Sequence, residues 1–313
     1  MSRLNIGLIG AGNIAEIHLE VLQNLNNCNL LGITSKTNKN SLRLKKKFHI
    51  KNIYKNYIDL LDDDLIDTVL ILVPPLSTFK ILKHAILKRK NIFVEKPAGI
   101  NLNQSKSLYQ LNKKYNAKVM VGFNRRYYSI FSKVNNLIKK DKILGLNIEG
   151  HERIWIWKKI YSSKILKKWM YANSTHTIDI IRFFGGEIKT ININKKKYAD
   201  FEYNLSASFS TKKNIIGTYN SYWNSPGGWS IKLFCENNTF IFQPLEKCLV
   251  MNKKFIVKEI KPNKIDIKFK PGFYNQMKDF KNFILGKKTI NKIFDLNESF
   301  KTMKLIHQMY EKN

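Results

Sequence analysis

Residues 4–20 read LNIGLIGAGNIAEIHLE, and the way this stretch folds decides the class of the first part of the chain. Leu4–Ile9 is an apolar run that ends at a glycine, and from Asn13 the apolar residues recur at helical spacing, so the stretch reads as strand, tight turn and helix. The turn is Gly10-Ala11-Gly12-Asn13-Ile14-Ala15, a GxGxxA pattern. Gly10 allows the tight turn, Gly12 lets the backbone approach a pyrophosphate, and the small Ala15 lets helix and strand pack closely, with the diphosphate at the helix N-terminus beside Asn13 and Ile14. A plain tight turn is the alternative. A strand before it and a helix after it are the context that a dinucleotide site requires.

The pattern continues outward from this unit. Short β-branched runs at 30–34, 68–73, 91–94 and 119–121 alternate with helical stretches, which predicts a doubly wound parallel sheet with helices on both faces over residues 1–121. After Gly122 the texture changes. Helices are expected from about residue 148 to 184, stopped by Gly185-Gly186. Strand runs then follow at 188–193, 199–209, 214–222, 229–234, 239–242 and 255–260, separated by turns such as Pro226-Gly227-Gly228. Helices at 274–285 and 297–310 close the chain. Residues 122–313 are therefore expected to form a second, α+β domain with an open, mainly antiparallel sheet, and 313 residues suit two such domains.

Ligands of an open α/β sheet bind at the carboxyl ends of its strands, so those ends supply the candidate site. The second strand ends in Thr34-Ser35-Lys36-Thr37, without the acid that usually holds the ribose hydroxyl of NAD. This favours NADP, with Ser35 and Lys36 as ligands of the 2′-phosphate; ordinary loop residues are the alternative. Val73-Pro74-Pro75 ends the next long strand, where it either shapes a nicotinamide pocket or stops a strand. Glu95-Lys96-Pro97 ends the strand after that. A lysine in a partly desolvated cleft has its pKa lowered and can exchange a proton with a substrate hydroxyl while hydride leaves the same carbon. The X-Pro bond that follows is the one place where a cis peptide is cheap.

Residues 171–186, YANSTHTIDIIRFFGG, place His176 three residues before Asp179 on an expected helix. At about 100° per residue, Ala172, Asn173, His176, Asp179, Ile180 and Phe183 share one face. His176 alone reads as a core histidine paired with Asp179, and Asn173 reads either as a substrate ligand or as a helix N-cap. Arg125, Arg126 and Tyr127 fall at the domain junction, where arginine holds a phosphate or carboxylate or makes a salt bridge. Trp155-Ile156-Trp157 reads as alternating aromatics in a strand, for packing or for stacking on a sugar.

Four motifs occur in one order: Gly7-Leu-Ile-Gly-Ala-Gly-Asn-Ile-Ala-Glu-Ile-His18, Glu95-Lys96-Pro97, Val121-Gly-Phe-Asn-Arg-Arg-Tyr127 and a His-x-x-Asp helix. In that order and spacing the chain resembles the Gfo/Idh/MocA oxidoreductases, the glucose-fructose oxidoreductase and inositol dehydrogenase family. The resemblance implies an N-terminal Rossmann domain that binds NAD(P). It also implies an α+β domain for substrate and oligomer contacts, and oxidation or reduction of a sugar, cyclitol or sugar nucleotide. By that likeness Lys96 transfers the proton and His176 is the second catalytic group, while Glu95 and the 73–75 turn line the cofactor. Arg126, Tyr127, Asn173 and His176 then face the substrate. Two positions depart from the family's usual pattern: Ala172 stands where an acid or amide precedes the histidine by four, and Thr78 where many members carry a histidine. Asn173 is the candidate to fill the first gap. The departures keep open another reading, a catalytically inactive dinucleotide-binding sensor or scaffold of the same fold.

Composition excludes little more. The formal charge of +32 comes from lysines spread along the chain beside frequent Asn and Ile, with few arginines, so neither a specific nucleic-acid partner nor a membrane is expected. Cys28, Cys235 and Cys248 are scattered, with no metal-ligand spacing, and no metal is expected. The N-terminal residues lack the apolar core and cleavage site of a secretion signal, which reads as cytoplasmic. A homodimer or homotetramer through the C-terminal sheet is expected.

Overall fold

The computed structural model describes residues 3–311. They divide into two compact units, 3–124 with 272–301 and 125–271 with 302–311. A single boundary at 121/122 thus leaves out the return of 272–301 to the first unit.

The first unit is built on six parallel strands: β1 (Leu4–Ile9), β2 (Cys28–Thr34), β3 (Asn52–Ile53), β4 (Thr68–Ile71), β5 (Asn91–Glu95) and β6 (Val119–Gly122). Their spatial order is β3-β2-β1-β4-β5-β6, so the chain reverses direction of travel across the sheet between β1 and β4. That reversal opens a crevice at the carboxyl ends, where an open α/β sheet binds ligands. The strands are apolar on both faces because helices cover both: α1 (Asn13–Leu22), α2 (Asn38–Phe48), α3 (Tyr57–Asp62), α4 (Pro75–Leu87) and α5 (Leu102–Tyr115). Leu8, Val69, Leu70, Phe93 and Val94 are fully buried, each contributing about 1.5–3 kcal/mol of burial. Asn101 caps α5 by accepting from the Gln104 amide at 2.9 Å, and Asn116 ends it with φ 53°. The returning segment adds the helix Phe273–Ile284. Phe294 then accepts from the Val121 amide at 2.8 Å, and its ring lies 4.2 Å from that of Phe123.

The second unit carries eight strands: β7 (Ile143–Gly150), β8 (Ile188–Ala199), β9 (Glu202–Thr211), β10 (Ile216–Tyr222), β11 (Trp229–Cys235), β12 (Asn238–Phe242), β13 (Cys248–Asn252) and β14 (Val257–Ile260). The order is β14-β13-β12-β11-β7-β10-β9-β8, antiparallel throughout except for the parallel β7/β10 pair. Burial alternates along β7, with Leu146, Ile148 and Gly150 buried, as expected of a sheet with one covered face.

Several elements differ from the sequence expectation. Ile148 lies inside strand β7 rather than opening a helix. The two-residue β3 and the short β13 were not foreseen, and Trp155-Ile156-Trp157 belong to a helical turn, Ile154–Trp157. Trp157 packs on Trp169, ring centroids 5.4 Å apart, so burial of that aromatic cluster overrides the strand-like alternation. No helix among the described residues is long and apolar enough to cross a membrane.

Candidate functional site

In the first unit the candidate residues gather along the carboxyl edge of the sheet. Gly10 has φ +113°, and a Cβ there would lie 2.4 Å from the Leu72 carbonyl oxygen, so no other residue fits. Its amide donates to Thr34 O at 2.8 Å, drawing the turn against the end of β2. Gly12 caps α1 in extended conformation, and a Cβ built there meets nothing within 4 Å. Its glycine is therefore not required by the protein's own packing. The open space above it, the exposed Asn13 and the amides of the first turn of α1 form a cradle that a pyrophosphate fits. Ala15 is fully buried and lets α1 close on the sheet.

At the end of β2 the Thr34 side chain is buried and Lys36 is exposed. Ser35 Oγ donates to Thr37 O at 2.8 Å and shares a hydrogen bond with Ser41 at 2.7 Å. Nearby cations are already engaged: Arg43 and Lys47 hold Glu16 at 2.8 and 2.6 Å, and their hydrogen bonds draw its carboxyl down to a pKa of about 2. Beyond β4, Pro74 precedes α4 and Pro75 is its first residue, a position where the missing N–H costs nothing. Val73 and Pro75 are half-buried there, and Thr78 is buried with its hydroxyl donating to Pro74 O at 3.4 Å.

At the end of β5, Glu95 Oε1 bonds His18 Nε2 at 2.8 Å, and Glu95 Oε2 accepts from the Lys96 amide at 3.2 Å. His18 is wholly buried between Phe93 and Phe273, ring centroids 4.9 and 5.0 Å away. Glu95 is thus clamped from behind, which fixes the backbone that carries Lys96. Lys96 is half-buried, and its peptide bond to Pro97 is cis.

In the second unit the helical run 170–185 carries the rest. It opens with a π-helical turn, Met170–Ser174, continues as α-helix over Thr175–Ile180, and ends in a second π-turn, Ile181–Gly185, before Gly186 at φ +83°. Wide turns of this kind recur at functional sites. The Asn173 side chain caps no helix; its Nδ2 donates to Glu152 Oε2 at 2.8 Å. Asp179 does not serve as the expected anchor of His176. Arg126 grips it in a fork, Nε to Oδ2 at 2.6 Å and Nη2 to Oδ1 at 2.9 Å, and Thr302 donates to it at 2.8 Å. His176 is buried, with the Trp229 ring 6.1 Å away, and the Arg125 guanidinium lies 4.5 Å over that same indole. Tyr127 is also buried, and Ala172 places only a buried methyl where the family's usual pattern has a polar group.

Three participants were not singled out from sequence. His18 falls within the glycine motif but shows its partnership with Glu95 only in three dimensions; Glu152 carries no local signal, and Trp229 none beyond the neighbouring Pro226-Gly227-Gly228 turn. Among the described residues no group of three or more His, Cys, Asp or Glu side chains is arranged to hold a metal.

Comparison with known proteins agrees with this geometry. Residues 4–123 match the family model described as "Oxidoreductase family, NAD-binding Rossmann fold". The chain is 25% identical over 206 residues to Oxidoreductase P35 of Formosa agariphila, covering 61% of this chain and 63% of that protein. It is 27% identical over 140 residues to the myo-inositol 2-dehydrogenase of Thermotoga maritima, covering 45% and 42%. The chain thus spans less than two thirds of the length of either relative. Among solved structures, levoglucosan dehydrogenase in complex with NADH and L-sorbose superposes with a TM-score of 0.84 at 16% identity, covering 100% of this chain and 97% of that one. The likeness at that identity is one of fold. By the glycine turn, the strand order and these matches, residues 4–123 are similar to the Gfo/Idh/MocA oxidoreductases in their NAD-binding Rossmann fold, and the chain as a whole shares the fold of that solved dehydrogenase.

Proposed function

We propose that the protein is an NAD(P)-dependent oxidoreductase that transfers a hydride between a nicotinamide cofactor and a hydroxyl or carbonyl of a sugar, cyclitol or sugar nucleotide. The reading rests on one juxtaposition: the Gly10–Ala15 cradle and the clamped Glu95-Lys96 pair stand at the carboxyl ends of β1 and β5, on the same edge of one parallel sheet. The names of the relatives support a polyhydroxylated substrate.

The nicotinamide, when bound, supplies the hydride acceptor or donor. Gly10, Gly12, Asn13, Ile14 and Ala15 form the diphosphate cradle, and Val73, Pro74, Pro75 and Glu95 border the cofactor. In the oxidation direction Lys96 accepts the substrate hydroxyl proton and His176 assists, with Asn173 hydrogen-bonding the substrate. Arg126 acts through Asp179, shaping the helical run that bears His176. Lys96 returns the proton in the reduction direction.

NADP is the preferred form in this reading, because the end of β2 offers no carboxylate to the ribose. Lys36 is the exposed cation there, and Ser35 joins it by turning its hydroxyl away from Thr37. Calorimetric titration with NADPH and NADH tests this: tighter NADPH binding by about tenfold is expected, and tighter NADH binding contradicts it.

The activity is tested by following NAD(P)H absorbance across a panel of myo-inositol, levoglucosan, glucose 6-phosphate and UDP-glucose. Turnover of at least one member is expected. Tight cofactor binding with no turnover of any member favours the sensor or scaffold reading, for which the buried Ala172 is the motivating feature. The outer face of the eight-stranded sheet, where Leu144, Ile216 and Phe234 are exposed among small polar side chains, is the proposed surface of a homodimer or homotetramer. Light scattering that reports a monomer at micromolar concentration contradicts that assembly.

A further inference from the structure

We infer that Glu152 is a positioning residue for the substrate site: its buried carboxylate fixes the side-chain amide of Asn173 so that Oδ1, and not the NH2 group, is offered to a substrate hydroxyl. This rests on the reading above, in which Asn173 meets the substrate.

Glu152 lies two residues beyond the end of β7 and is 1% exposed. A carboxylate so deeply buried has to be met by donors. Trp169 Nε1 and Asn173 Nδ2 both donate to its Oε2 at 2.8 Å, and Ser174 Oγ donates to its Oε1 at 2.8 Å. These three donors come from the start of the helical run that bears His176. Both carboxylate oxygens only accept, so the Asn173 amide has one orientation that satisfies them, with Nδ2 inward. Its Oδ1 then faces away from Glu152.

Exposure separates Asn173 from the other two donors. Trp169 and Ser174 are buried, whereas Asn173 is half-buried, so it is the donor of the set with a side chain reaching the surface. It lies three residues before His176, on the same side of the helical run. Ala172 offers nothing polar at the preceding position. The polar contact to substrate therefore comes from residue 173, braced from behind by a carboxylate 21 positions earlier in the chain. A site that presents an oxygen acceptor selects a substrate with a hydroxyl at that point and disfavours the deoxy or O-methyl analogue, which leaves the acceptor unpaired.

Four proteins test this: the parent, Glu152→Gln, Asn173→Asp and the double variant, each assayed with the best substrate of the panel and melted thermally. Glu152→Gln keeps an oxygen toward Trp169 and Asn173 and turns its NH2 to the Ser174 hydroxyl, which rotates to accept. Its kcat/KM is expected within about threefold of the parent. Asn173→Asp sets two carboxylates face to face and is expected to lower kcat/KM by about tenfold or more, mainly through KM. The double variant restores a donor–acceptor pair between residues 152 and 173 with the roles reversed, but turns the NH2 of the introduced glutamine toward the Trp169 Nε1–H, and is expected to regain part of that loss. Recovery of the melting temperature without recovery of kcat/KM, or an Asn173→Asp protein with parental kinetics, overturns the inference and leaves the pair a structural one. A parent protein that turns over no member of the panel refutes the proposed function itself, a different result from failed rescue in an active enzyme.

Discussion

Arg126 holds Asp179 through two hydrogen bonds, 2.6 Å from Nε to Oδ2 and 2.9 Å from Nη2 to Oδ1, across 53 residues of sequence. Asp179 is almost wholly buried and Thr302 donates to it as well. The fork ties the start of the second unit to the helical run that bears His176. Asp179, the acid that the sequence spacing suggested as the partner of His176, is thus engaged by Arg126 and Thr302.

Removing the charge at one end of this fork leaves a guanidinium of low exposure without its anion. Asp179→Asn is expected to destabilise the protein by about 2–4 kcal/mol, read as a lower urea midpoint with an unchanged slope. A shift below about 0.5 kcal/mol would show that the fork is energetically idle.

The two glycines of the turn are expected to separate folding from binding. Gly10→Ala meets both a positive φ and the Leu72 carbonyl, so it is expected to cost about 2 kcal/mol or more in stability. In Gly12→Val the added Cβ meets open space on an extended backbone, so its stability is expected to stay within about 0.5 kcal/mol of the parent. Its affinity for NAD(P)H, read by quenching of intrinsic fluorescence, is expected to fall about tenfold or more. Unchanged affinity in Gly12→Val places the diphosphate elsewhere.

Glu16 makes a pH-dependent link between α1 and α2. Its carboxyl is depressed from the ordinary 4.5 to about 2 by Arg43 and Lys47. A depressed acid stabilises the fold above its unfolded pKa and loses that contribution as pH falls through the folded value. Because the side chains are partly exposed and screened by salt, the effect is expected to be about 0.5–1 kcal/mol. Glu16→Gln is therefore expected to lower stability by that amount at pH 7, with the difference from the parent shrinking between pH 4.5 and 2. Urea titrations of both proteins across this range check it, and a difference that grows as the pH falls contradicts the link.

What the sequence makes legible follows from what is local. The Gly10–Ala15 turn, the parallel strands and the closing helices each carry their own periodicity or turn chemistry, so the Rossmann half and the strand-rich half are readable residue by residue. Strand β7 is obscured because Gly145 and Gly150 interrupt its apolar residues and weaken its strand propensity; pairing with β11 and β10 defines it. Trp155-Ile156-Trp157 alternate like a strand, but Trp157 packs on Trp169 from a helical turn. The return of 272–301 to the first unit has no local mark at all. The site divides the same way. Gly12 and Lys96 announce themselves by motif, whereas the pairings His18–Glu95 and Glu152–Asn173 join distant stretches, and one sequence carries no record of which side chains meet.

The central claim is that Lys96 moves the proton in a hydride-transfer reaction, and Lys96→Met measures it most directly. This variant keeps a stem of similar length and removes the amine, while Glu95 remains clamped by His18. The account predicts that kcat on the best substrate of the panel falls by roughly a thousandfold, while NAD(P)H affinity stays within about threefold of the parent. Turnover retained at the parental rate with cofactor binding intact would contradict it.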